Sequence, residues 1–113
     1  MPAGNPVVGD QDTRFIVTMQ DNNNGTLAVI DLSVAAGNYD TFVIEFINES
    51  LSTPIQKTAA LYTNGTDGKI VYTNTSASFL NTGGTWRMRG VISKANTNVL
   101  FRGTWIEFPV TNP

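Results

Sequence analysis

Apolar and polar side chains alternate along much of this chain. The alternation is clearest in segments 14–20, 40–48 and 86–92, and segments 26–33 and 55–62 follow it less strictly. A period of two residues is typical of a β-strand with one buried face. No stretch of ten or more residues has the 3.6-residue period of a helix. The pattern therefore predicts an all-β chain in which each of these five segments forms a single strand.

Turn sequences separate the strands at intervals of about ten residues. Asn24-Gly25 suits a two-residue hairpin, segment 64–68 contains two turn dipeptides, and Gly83-Gly84 supplies the positive φ angles of a sharp corner. Seven or eight short strands with this spacing predict an immunoglobulin-like antiparallel β-sandwich. We expect it to span residues 14–113. Residues 1–13, rich in Pro, Gly, Asp and Asn, are expected to form an extended arm, either disordered or fixed on a neighbouring subunit.

The strand that follows the glycine corner is the strongest signal in the chain. Trp86, Met88 and Ile92 share one face of it, and Arg87 and Arg89 share the other. A large aromatic side chain that enters a core directly after a corner anchors a central strand. We therefore predict that Trp86 is buried.

The last predicted strand, over residues 99–111, contains two alternations that disagree by one residue. The first half points Val99 and Phe101 inward and the second half points Ile106, Phe108 and Val110 inward, with Gly103 between them. A β-bulge at this glycine would accommodate the extra residue. This arrangement predicts that Trp105 lies on the outer face of the sandwich.

Composition excludes several classes of function. The chain has 113 residues, of which 41% are hydrophobic and only 14% charged, and its net charge of −2 gives no basic footprint for nucleic acid or an anionic membrane. Cys and His are both absent, which removes thiol nucleophiles, disulfides, and the commonest general base and metal ligand. We expect neither a metal nor another cofactor.

The sequence shows no targeting signal. The first six residues lack the basic and apolar regions of a signal peptide, and no apolar run approaches the roughly 20 residues of a membrane span. We expect synthesis in a cytoplasm and no contact with a membrane.

Two carboxylates are the only candidates for catalysis. Glu45 and Glu107 lie on predicted strands and could converge as the acid pair of a glycoside hydrolase. The alternative pairs them across the sheet with Arg87, Arg89 or Arg102. Neither glutamate lies in a catalytic motif, and the chain has no P-loop, nucleophile elbow or dinucleotide fingerprint. We therefore predict that the chain is not an enzyme.

Trp105, predicted to face outward, is the best lead to function, because Trp and Arg are enriched at the energetic centres of protein interfaces. Arg87 and Arg89 form a small basic stripe on the outer face of their own strand, which is either solvated or in contact with an acidic partner. The alternatives are that Trp105 packs against the arm, that the arginines are simply solvated, or that Trp105 and the Asn-rich loops bind a glycan. The candidate interface residues are Trp105, Arg87, Arg89, Pro6, Val7 and Val8.

Several motifs resemble known families. Leu80, Gly84 and Trp86 resemble the Leu…Gly-x-Tyr corner of immunoglobulin domains, with Trp86 in the place of the tyrosine and Met88 in that of the second cysteine. Four segments together resemble the Ig-like modules of tailed bacteriophages, among them the N-terminal module of baseplate upper proteins. These segments are Val29 to Ser33, Thr66 to Tyr72, Leu80 to Arg87, and Phe108 to Val110.

This resemblance implies a structural role in a virion, in a tail, baseplate or neck. The partners would then be other virion structural proteins, in a homo-oligomeric arrangement, and synthesis would occur in the host cytoplasm. Two alternatives stay open: a capsid decoration protein, and an Ig-like module that binds surface glycans.

Overall fold

The structure of the protein, a computed structural model, describes residues 13–23, 26–50, 52–75, 79 and 82–111. Almost all of the predicted arm, including Pro6, Val7 and Val8, lies outside the described residues. Ten strands occur in the described part of the chain. They are β1 (Arg14–Thr18), β2 (Gln20–Asn23), β3 (Thr26–Val29), β4 (Thr41–Asn48), β5 (Ile55–Thr58), β6 (Ala60–Leu61), β7 (Lys69–Thr73), β8 (Gly84–Ser93), β9 (Leu100–Arg102) and β10 (Ile106–Val110).

The strands form two antiparallel sheets and a small hairpin. The first sheet has the order β1-β7-β6, and the second has the order β10-β8-β4-β5, with β9 pairing with β8 as well. Strands β2 and β3 pair only with each other. In immunoglobulin notation these orders correspond to B-E-D and G-F-C-C′. The predicted Ig-like antiparallel sandwich is therefore confirmed, with ten strands in place of seven or eight.

The core lies between the inner faces of the two sheets. An aromatic cluster fills one half of it, in which the Phe46 ring centroid lies 5.0 Å from that of Phe15 and 4.8 Å from that of Phe79. Both contacts are edge-to-face, the arrangement that aromatic quadrupoles favour. Trp86 is 1% exposed, which confirms the predicted anchor. The buried apolar side chains are Phe15, Val17, Met19, Leu32, Ile44, Phe46, Ala59, Ile70, Phe79, Trp86, Ile92 and Val110.

Met19 interrupts the strand that the pattern predicted over residues 14–20. Its N–H donates to the carbonyl of Gly68, the next position of the β1–β7 register, and its carbonyl accepts from the N–H of Ile30, next to the β2–β3 register. The chain therefore changes its pairing partner at Met19. Its fully buried side chain crosses to the other sheet, where a Cβ on Gly90 would meet its sulfur. Glycine on β8 therefore makes room for Met19.

Segment 55–62 was predicted to be one strand, and that prediction was wrong. The N–H of Ala59 donates to the carbonyl of Phe42 on β4 at 2.9 Å, whereas Ala60 already pairs with Val71 on β7. The segment thus changes sheets at Ala59, as β5 ends and β6 begins. Segment 26–33 likewise stops pairing after Val29, because the next residues bond to loop carbonyls rather than to a strand.

The last predicted strand, over residues 99–111, is divided into β9 and β10, and the predicted extra residue lies between them. Val99 and Ile106, which were expected to face inward, are 44% and 42% exposed. Val91 pairs with Arg102 and Met88 pairs with Ile106, so two residues of β8 lie opposite the three residues 103–105. The N–H of Gly103 donates to the carbonyl of Gly90 at 2.8 Å. The extra residue brings Trp105 onto the outer face beside Arg89.

Candidate protein interface on the outer sheet face

The outer face of the five-stranded sheet carries a group of interacting side chains from four segments. The strand register places Glu45 of β4 opposite Arg89 of β8, and Gln56 of β5 opposite Glu45 on its other side. The bulge adds Trp105. We call these four residues, Gln56, Glu45, Arg89 and Trp105, the outer-face cluster.

The centre of the cluster is a largely buried ion pair. The Nε of Arg89 donates to Oε1 of Glu45 at 2.7 Å, and Nε2 of Gln56 donates to Oε2 of the same carboxylate at 2.8 Å. The side chains of Glu45 and Arg89 are only 9% and 22% exposed. Both carboxylate oxygens of Glu45 thus accept a hydrogen bond. A buried charge needs such partners, because it has lost its contacts with water.

These contacts keep Glu45 ionised at neutral pH. Burial raises the pKa of Glu45, but the hydrogen bonds from Gln56 and Arg89 and the positive charge of Arg89 outweigh it, and the pKa lies below its ordinary value. The more distant Arg102 acts in the same direction. An ionised carboxylate in turn holds the Arg89 guanidinium in place.

The guanidinium of Arg89 lies over the ring of Trp105, with its central carbon 4.2 Å from the ring centroid. This distance is that of a cation–π contact. The indole is half-buried. The predicted outward position of Trp105 is therefore confirmed, whereas its role in an interface stays a prediction. The alternative that it packs against the arm lies outside the described residues.

Arg87 and Glu107 form a second cross-strand pair on the same face, with 3.5 Å between Nε and Oε1. Their side chains are 56% and 67% exposed, so water screens the pair and its net stabilisation is about 0–1 kcal/mol. The two residues border a shallow polar cleft of about 460 Å³, together with Ile47, Asn48, Glu49 and Thr85.

The structure separates the two carboxylates of the hydrolase hypothesis. Glu45 lies on β4 and Glu107 on β10, with β8 between them, and each bonds to an arginine of β8. The alternative of cross-strand ion pairs is confirmed. A glutamate whose pKa is lowered is also poorly suited to act as a general acid at neutral pH.

The remaining chemistry of the described residues is sparse. Within that part of the chain, no group of three or more His, Cys, Asp or Glu side chains is placed to hold a metal ion. The described segments also contain no helix that is long and apolar enough to cross a membrane.

One surface was missed by the sequence analysis. A groove of about 320 Å³ opens at one end of the sandwich, under the loop between β3 and β4. We call it the end groove. Its walls come from three distant segments, so no local pattern could predict it. Its main lining residues are Leu32, Val34, Tyr39, Phe42, Leu61 and Lys94.

Comparison of the chain with protein-family models, with curated proteins and with solved structures finds no match.

Proposed function

We propose that the chain is a non-enzymatic structural protein of a bacteriophage virion, in the tail, baseplate or neck. It assembles with other virion proteins through the outer-face cluster. A capsid decoration protein with the same interface is the nearest variant of this proposal.

The observation that carries the proposal is the stacked pair of Trp105 and Arg89. Binding normally costs about 0.5–1.5 kcal/mol for each flexible side chain that it immobilises. Here Gln56 holds the Glu45 carboxylate, Glu45 holds Arg89, and Arg89 already covers one face of the indole. The cluster thus presents two side chains of the types that dominate interface energetics, and their conformations are fixed in advance.

The proposed role in a virion rests on the resemblance to phage modules. One hydrogen bond supports the glycine corner before Trp86, which is part of that resemblance. The tyrosine of an immunoglobulin corner donates to a backbone group a few residues upstream. In this chain Nε1 of Trp86 donates to the carbonyl of Thr82 at 2.9 Å. The indole thus makes the bond that a corner tyrosine would make.

Replacement of Trp105 tests the proposal. We expect Trp105→Ala to fold as the native chain does and to be incorporated into particles at least about tenfold less, since hot-spot side chains contribute about 2 kcal/mol or more. Tyr62→Ala is the matched control, because Tyr62 is 39% exposed and stacks under Arg14 on the other sheet. The readout is the amount of each variant in purified particles from cells in which it replaces the native chain. Equal incorporation of the native and Trp105→Ala chains would contradict the proposal.

The polar cleft favours one second candidate, a module that binds surface glycans. It offers the donors of Arg87 and the acceptors of Glu49 and Glu107, a combination that suits sugar hydroxyl groups. Asn48 also lines it, and the buried Nδ2 of this residue has no hydrogen-bond partner in the structure. Glycan-array binding that disappears in both Arg87→Ala and Trp105→Ala would support this candidate, and an array without signal would reject it.

A further inference from the structure

The end groove is an apolar cavity at the surface. Its walls are mainly aliphatic and aromatic, and Val34 at its rim is 87% exposed. Lys94 closes one side, where its Nζ donates to the carbonyl of Gly37 at 2.6 Å. The nearby Asp40 carboxylate is already occupied, because it accepts from the N–H of Ala95 and the hydroxyl of Thr41. The groove therefore offers mainly apolar contacts, with the opposite charges of Lys94 and Asp40 at its edge.

The groove and the start of the described chain lie at opposite ends of the sandwich. Phe15, near the beginning of β1, packs its ring 5.0 Å from that of Phe46, in the last part of β4. Phe42, which lines the groove, lies at the beginning of β4. The long axis of the molecule measures 43 Å. Thr13, the first described residue, thus lies at the end remote from the groove.

That preceding segment has the composition to fill such a groove. Pro6-Val7-Val8 is its apolar run, and Asp10 and Asp12 follow as its charged residues. The five steps from Val8 to Thr13 span at most about 18 Å when extended. The apolar run matches the groove walls.

We propose that residues 6–8 of one copy insert into the end groove of a second copy. Two copies placed end to end bring the segment of one directly to the groove of the next, whereas the chain's own groove lies at the far end of its own sandwich. Such contacts are head-to-tail, so each copy uses a different surface toward each neighbour, and repetition gives a ring or a filament. The inference rests on the proposed structural role and names a second copy of the chain as a partner.

Replacing one apolar residue by Asp on each side of the contact tests the proposal. In Val34→Asp the groove is disrupted at an exposed position, and in Val8→Asp the inserted segment is disrupted. Leu27→Asp is the matched control, because Leu27 is 64% exposed and lies on the β2–β3 hairpin but does not line the groove. Sedimentation velocity over a concentration series measures association of the full chain. We expect the native and Leu27→Asp chains to associate equally, and the other two variants to associate at least tenfold more weakly.

A mixture of the two weakened variants distinguishes this head-to-tail contact from other modes of self-association. Val8→Asp keeps an intact groove and Val34→Asp keeps an intact segment, so the mixture should form one-to-one complexes that do not grow further. A monomeric native chain, equal association of all variants, or a mixture that stays monomeric would each overturn the inference. If particle incorporation depends on Trp105 while Val34→Asp associates like the native chain, the inference fails and the proposed function stands. If neither substitution has an effect, both fail.

Discussion

At the scale of single residues, Trp86 combines two roles that usually belong to different side chains. Its ring is 1% exposed and packs 6.0 Å from the ring of Phe79, as a core anchor does. Its indole N–H satisfies the carbonyl of Thr82 at the corner, as a corner tyrosine does. The anchor role could be predicted from the glycine pair and the alternation. The hydrogen bond could not, because it depends on how the corner folds back over the ring.

Two substitutions separate these roles of Trp86. Trp86→Phe keeps an aromatic ring but loses the N–H donor to Thr82, so we expect it to cost about 0.5–1.5 kcal/mol, the usual net contribution of one hydrogen bond. Trp86→Ala also leaves a cavity and should cost about 3–5 kcal/mol. Urea unfolding monitored by circular dichroism gives both free energies of unfolding. A near-neutral Trp86→Phe would show that the bond to Thr82 contributes nothing, and a near-neutral Trp86→Ala would refute the anchor role.

At the scale of elements, β8 organises the second sheet, because it pairs with β4 on one side and with β9 and β10 on the other. The faces of β4 and β8 were predictable, since burial of one face imposes a period of two. The bulge could also be predicted. The two alternations of apolar residues before and after Gly103 disagree by one position, and an extra residue in the strand is the simplest way to reconcile them. The sheet change at Ala59 was not predictable, because the choice between β4 and β7 as partner depends on contacts distant in sequence.

The cross-strand pair of β4 and β8 predicts how stability depends on pH. The pKa of Glu45 in the folded chain lies below its ordinary value of 4.5, so the ionised pair stabilises the fold above that value. This stabilisation is lost as the pH falls through the lowered pKa. The Glu45→Gln variant lacks this stabilisation at every pH. The difference in free energy of unfolding between the native and variant chains should therefore be largest near pH 7 and shrink below about pH 4.5.

Urea unfolding at a series of pH values measures this difference. Glu107→Gln is the control, because its exposed pair with Arg87 should give a small difference at every pH. Curves for the native and Glu45→Gln chains that stay parallel down to about pH 3 would contradict a pKa lowered by the fold. Asp31, Asp40 and Asp67 also have lowered pKa values, but they contribute equally to both chains.

At the scale of the whole molecule, the two proposed contacts use surfaces of different chemistry. The outer-face cluster lies on the broad face of one sheet and is built around Arg89, with Arg87 and Arg102 nearby. The end groove lies at one end and has mainly apolar walls. A face contact leaves the ends of the sandwich free. The two proposals are therefore compatible, because one copy would bind a different protein through its face while it continues a row of its own kind through its ends.

This difference in chemistry predicts opposite responses to salt. Raising the ionic strength from about 0.1 M to about 1 M shortens the screening length from about 10 Å to about 3 Å, which weakens contacts that depend on arginine charges at an interface rim. Apolar contacts do not weaken in this way, so self-association through the end groove should stay unchanged or become stronger. Binding to partner proteins through the outer face should weaken over the same range. Sedimentation velocity of the isolated chain and salt elution of the chain from particles measure the two responses. Self-association that disappears at high salt would place charged groups rather than residues 6–8 at the contact between copies.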